Sequence, residues 1–128
     1  PALDRGAWVV SDRFADSTMA YQGYGHGLDR ALIGRMYAEV VGDFQSGLTI
    51  ILDLPAEAGL ARAGERAAGG TRYERMGLDF HRRLRDGFLE IARGDAARCA
   101  VVDATGAIAD VSAAIRMVVR ERLAPRGF

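Results

Sequence analysis

The chain has 128 residues, with 17 acidic and 17 basic side chains and a formal net charge of zero. All 17 basic residues are arginine, so no step that needs a lysine, such as a Schiff base or the lysine of a phosphate-binding loop, can use these residues. The hydrophobic share of 49% and charged share of 27% fit a globular chain with a core, and the balanced charge argues against a general nucleic-acid binder.

In chain order, the first apolar run is Ala7–Ser11, which reads as a strand buried on both faces, the pattern of a parallel sheet. It ends at Asp12-Arg13-Phe14, followed by Ser17-Thr18 and Tyr21-Gln22-Gly23. An arginine at the carboxyl rim of a strand can direct two donors at a phosphate, and a neighbouring carboxylate can orient it or hold a hydrated metal ion. Tyr21 could wall a sugar or base pocket. The alternative is a structural Asp-Arg pair at a strand end.

Leu32, Ile33, Met36, Tyr37, Val40 and Val41 recur at spacings of three and four, which predicts a helix. Leu48–Leu52 reads as the second strand and ends at Asp53. Pro55 then suits the start of an alanine-rich helix. The segment 64–72 is rich in glycine and alanine and carries charges, so it is a candidate lid between two helices, with an ordinary surface connection as the equal alternative. An arginine arriving on such a lid suits phosphoryl transfer, and Arg72 beside Tyr73 and Glu74 fits that reading.

Phe80, Leu84, Phe88 and Ile91 mark a third helix, on which Arg82, Arg83 and Arg85 read as a solvated face and His81 as a packed or exposed side chain. Ala100–Val102 reads as the third strand, ending at Asp103, with Cys99 as a small buried residue. Asp53 and Asp103 read as caps of the turns that follow their strands. Ile108, Val111, Ile115, Val118 and Leu123 mark the last helix. Alternating strands and helices imply a three-layer α/β fold with right-handed crossovers. One cysteine excludes an internal disulfide framework and suits a reducing, cytoplasmic setting. No stretch approaches the length of a membrane-spanning helix.

The ordered set Asp12-Arg13-Phe14 with Ser17, Ala20–Gly23, Gly27-Leu28-Asp29, Gly42-Asp43-Phe44, Leu52–Pro55 through Arg62, Arg72-Tyr73-Glu74 with Phe80, and Val102–Thr105 resembles bacterial thymidylate kinase along nearly the whole chain. The resemblance implies a parallel sheet of the P-loop nucleotide-kinase type, missing its first strands. Residues 1–128 would form the C-terminal part of a single domain, with a lid at about 62–75. It implies phosphoryl transfer from ATP to dTMP, with magnesium, in a homodimer that binds neither nucleic acid nor membrane.

By position, Arg13 would grip the dTMP phosphate and Asp12 would orient it or sit near the metal. Ser17, Thr18 and Gln22 would lie on the substrate, with Tyr21 on the deoxyribose. Arg62 would stack on adenine, and Asp103, Ala104 and Thr105 would begin the loop over it. Arg72 would reach the transferring phosphate, and Glu74 would help hold the metal or the sugar 3′-hydroxyl. The family's opening strand and glycine-rich loop ending Gly-Lys-Ser/Thr have no counterpart here. The resemblance therefore implies a C-terminal portion that, alone, folds poorly and is inactive. Another P-loop deoxynucleoside or nucleotide kinase, or a noncatalytic nucleotide-binding fragment, are the alternatives.

Overall fold

In the computed structural model, residues 1–66 and 76–123 are described. A short helix, α1 (Ala15–Thr18), runs directly into a wider π-type stretch over Met19–Gly25. Then follow α2 (Arg30–Val41), β1 (Thr49–Asp53), α3 (Ala56–Arg66), α4 (Leu78–Gly94), β2 (Cys99–Asp103) and α5 (Ile108–Leu123).

The two strands pair in parallel, with Thr49 opposite Cys99 and Asp53 opposite Asp103. A parallel pair needs a crossover connection, and α3 and α4 supply it. α4 is the central element. It packs on both strands and on the π-type stretch, and α5 packs on β2. Because side chains alternate across a strand, Ile51 and Cys99 share one face, where they meet Ala92 of α4. Ala100 and Val102 point to the other face and are also buried.

The predicted stripe on α4 forms the second core cluster. Phe80 and Leu84 are buried with Ala20, while Tyr21, Phe88 and Ile91 pack against them. Cys99 is 4% exposed, in agreement with its reading as a small buried residue.

Three expectations are corrected. Ala7–Ser11 is not a strand: it has no ladder partner among the described residues, and Trp8, Val9 and Val10 are 55%, 60% and 90% exposed. An apolar run becomes a buried strand only when a neighbour takes up its backbone donors and acceptors. The α2 stripe forms a helix as predicted, capped by the Asp29 carboxylate, which accepts from the Ala31 N–H at 2.9 Å. It buries none of its residues, however, and Leu32, Met36 and Val40 lie exposed on successive turns. The same holds for the α5 stripe, where Ile108 is exposed and no residue is fully buried.

The arginines of α4 are the third correction. Arg82, Arg83 and Arg85 are ties between elements rather than a merely solvated face. Arg82 reaches Glu57 of α3 at 2.6 Å, Arg83 donates to the Gly25 carbonyl at 3.1 Å, and Arg85 pairs with Asp53 of β1.

Candidate functional site

The site begins where the first apolar run ends. Arg13 has φ +71°, a left-handed backbone that a side chain with a β-carbon disfavours by about 1–2 kcal/mol. The Ser11 hydroxyl donates to the Arg13 carbonyl at 2.8 Å and helps hold this turn. The turn sends the Arg13 side chain back over the helix that follows, and its guanidinium lies over the Tyr21 ring, 4.9 Å from the centroid.

Tyr21 is itself fixed from below. Its ring meets Phe88 edge-on at 6.3 Å and Phe80 at 6.4 Å, both from α4. An exposed cation is thus seated on an aromatic platform backed by the core. Ser17 and Tyr21 are four residues apart and share a face, and Thr18 and Gln22 repeat that spacing one residue on. Thr18 and Asp12 are exposed, while Ser17 and Gln22 are half-buried. The five positions expected to line the substrate, Arg13, Ser17, Thr18, Tyr21 and Gln22, therefore lie on one turn and helix, and Asp12 adjoins them.

A second group forms around the end of β2. Arg62 of α3 donates to the carbonyls of Ala104 and Thr105, each at 2.9 Å. The Asp103 carboxylate accepts from the Thr105 N–H at 2.8 Å and from its hydroxyl at 2.7 Å. These bonds favour the charged carboxylate and hold Asp103 below the usual carboxylate range. The Ala104 N–H donates to the Asp53 carbonyl at 2.8 Å, which extends the β1–β2 pairing by one bond. Arg62, Asp103, Ala104 and Thr105 are thus brought together by direct contact.

Asp53 and Arg85 lie at the carboxyl rim of β1. Arg85 makes a two-point contact, Nε to Oδ1 at 2.7 Å and Nη2 to Oδ2 at 2.9 Å. Hydrogen bonding from Arg85 lowers the Asp53 pKa, against the smaller opposing effect of burial. A cavity of about 170 Å³ opens beside this pair, lined among others by Leu54, His81 and Phe88.

The thymidylate kinase family model matches residues 1–115. The chain belongs to the thymidylate kinase family. A thymidylate kinase from Caulobacter vibrioides is 53% identical over 123 residues, which cover 96% of this chain and 59% of that protein. One from Bradyrhizobium diazoefficiens is 45% identical over 127 residues, covering 98% of this chain and 56% of the relative. A crystal structure of thymidylate kinase from Ehrlichia chaffeensis superposes with a TM-score of 0.69 at 31% identity, over 92% of this chain and 53% of that one. The chain therefore spans a little over half the length of these thymidylate kinases, and its α/β fold with parallel strands is theirs.

Arg72 and Glu74, expected from the sequence to lie on a lid, are outside the described residues. Sequence reading also missed Asp16 and Arg98. Arg98 sits between two carboxylates, with Nη1 and Nη2 on Asp16 at 2.7 and 2.9 Å and Nε on Asp95 at 2.8 Å. Its Nη1 also reaches the hydroxyls of Thr49 and Ser46 at 2.8 and 3.2 Å. Hydrogen bonding from Asp16 raises the Arg98 pKa above its already high ordinary value. The one local hint was the three-residue spacing of Asp95 and Arg98. Nothing local pointed to Asp16, which lies 82 residues away from its partner.

Proposed function

We propose that the protein carrying these residues transfers the γ-phosphoryl group of ATP to dTMP, giving dTDP. The observation that carries this is the Arg13–Tyr21 platform backed by Phe80 and Phe88, in a chain that belongs to the thymidylate kinase family. A guanidinium presented on an aromatic face can place two donors on a monophosphate while the ring packs against a sugar. Ser17, Thr18 and Gln22 line the same helix and serve the rest of the nucleotide. Arg62 and the loop begun by Asp103, Ala104 and Thr105 form the ATP side. There two carbonyl contacts hold the Arg62 guanidinium against the start of that loop. Arg72 supplies lid charge to the transferring phosphate, within a lid at about 62–75 of a single domain.

Magnesium supplies charge neutralisation between the phosphates when bound. One or two carboxylates of this chain would suffice to hold such an ion. Asp12, an exposed hard oxygen donor adjoining Arg13, fits that role, and Glu74 is its second candidate. The protein acts as a cytoplasmic homodimer in this reading, supported by the exposed apolar turns of α2 at Leu32, Met36 and Val40. No helix among the described residues is long and apolar enough to cross a membrane.

The test is phosphoryl transfer from ATP measured separately with dTMP, dUMP and thymidine. Turnover highest with dTMP and lowered at least 100-fold in Arg13→Met is the expected result. A preference for thymidine, or full activity without the Arg13 guanidinium, overturns the assignment.

A further inference from the structure

The helix that carries Ser17, Thr18, Tyr21 and Gln22 has a weak start. α1 is four residues long, and its N-cap position is Phe14, which offers no side-chain cap. Its first turn is held instead through Asp16. The Asp16 carboxylate takes two donors from Arg98 and one from the Thr49 hydroxyl at 3.1 Å. Arg98 belongs to the turn between α4 and β2, and Asp95, the residue that closes α4, holds its Nε. Asp16 and Arg98 are both largely buried, with side chains 18% and 16% exposed, and the two bonds between them are parallel and short. The contact therefore fixes an orientation as well as a distance.

We propose that Asp16 and Arg98 form a positioning pair for the nucleotide monophosphate site: Arg98, anchored on Asp95 and Thr49, sets the first turn of the helix whose next residues, Ser17 and Thr18, face the substrate. Neither residue touches substrate. The pair acts through the adjoining turn, so it governs the monophosphate side and leaves the Arg62–Thr105 side alone. This inference rests on the functional reading above.

The experiment compares Asp16→Asn, Arg98→Met, Arg98→Lys and the double variant Asp16→Asn/Arg98→Met in the full protein. Asp16→Asn and Arg98→Met are each expected to raise KM for dTMP about tenfold, with KM for ATP within twofold. Arg98→Lys keeps the charge but not the two-point geometry, so it recovers part of the loss. The double variant is no worse than the poorer single one, because both remove the same contact. Amide hydrogen exchange over residues 15–22 is expected to rise at least tenfold in Asp16→Asn, with β1 and β2 unchanged.

Equal shifts in both KM values, no shift in either, or unchanged exchange over 15–22 each overturn the proposal. Should Arg98→Met fail to fold, Asp16→Asn, which conserves shape, decides the matter alone. Absence of dTMP turnover in the parent protein would refute the functional reading by itself, and the exchange measurement would still decide whether the pair holds the helix.

Discussion

Two helical glycines, Gly87 and Gly34, should respond in opposite ways to alanine. A β-carbon on Gly87 of α4 would lie 2.5 Å from Cγ, 2.6 Å from Cβ and 2.8 Å from Cδ2 of Tyr24. Those atoms are the root of the tyrosine side chain, so the clash is not relieved by turning a flexible end; the π-type stretch or α4 must move. Overpacking of this kind costs about 1–3 kcal/mol. The displaced Tyr24 also loses its contact with Arg30, whose guanidinium lies 4.5 Å from the ring centroid, and at an exposed site that adds about 0.5–1 kcal/mol. Against this stands the gain of about 1 kcal/mol from placing alanine in a helix.

The net expectation for Gly87→Ala is a loss of about 0.5–3 kcal/mol, or a fall in Tm of roughly 2–12 °C for a domain near this size. Gly34 sits inside α2 with nothing within 4 Å of its added carbon. Gly34→Ala should therefore gain about 0.5–1 kcal/mol and raise Tm by roughly 2–4 °C. Thermal unfolding followed by circular dichroism on both variants and the parent measures the difference. A Gly87→Ala protein as stable as Gly34→Ala would refute the close packing of Tyr24 against α4.

Two further outcomes follow from the polar contacts. Arg62→Met removes the donors to Ala104 and Thr105, so KM for ATP should rise about tenfold or more with KM for dTMP nearly unchanged, as read from initial rates. Asp53 has a folded-state pKa below its unfolded value of about 3.9, so its contribution to stability is present above that pH and is lost as pH falls through the folded value. The stability difference between the parent and Asp53→Asn should accordingly be largest at pH 7 and shrink below about pH 4 in urea titrations. A difference that stays constant with pH contradicts the Arg85 pairing.

The helices were legible because their apolar residues recur at helical spacing, and α4 buries Phe80 and Leu84 of its stripe with Phe88 and Ile91 packed against that cluster. β1 and β2 were legible as short apolar runs ending in aspartate. The run at Ala7–Ser11 has the same composition, yet its state depends on a neighbouring strand, which composition does not encode. At the site, the Asp12-Arg13 and Tyr21-Gln22 segments could be read because they are contiguous. Asp103 also caps the turn that follows its strand, as expected. Asp53 instead pairs with Arg85, 32 residues away. The Arg98–Asp16 contact likewise joins residues distant in sequence, and only the crossover through α3 and α4 brings such partners together. Arg82, Arg83 and Arg85 were misread for this reason: a helix periodicity separates faces but does not say which exposed side chain reaches across to another element.

Among the described residues, the cationic partner in each side-chain ion pair that joins separate segments is a guanidinium: Arg30 with Glu90, Arg82 with Glu57, Arg85 with Asp53, and Arg98 with Asp16. An ammonium group in those places would begin to shed its proton near pH 10, and the ties would fail together in mild alkali. A guanidinium keeps its charge beyond pH 12, so these ties hold throughout the alkaline range. Burial moves the groups that do titrate there, Cys99 and Tyr24, to higher pH. Alkaline unfolding of this fold is therefore set by a thiol and phenols rather than by its ion pairs, whatever the origin of its arginine-only composition.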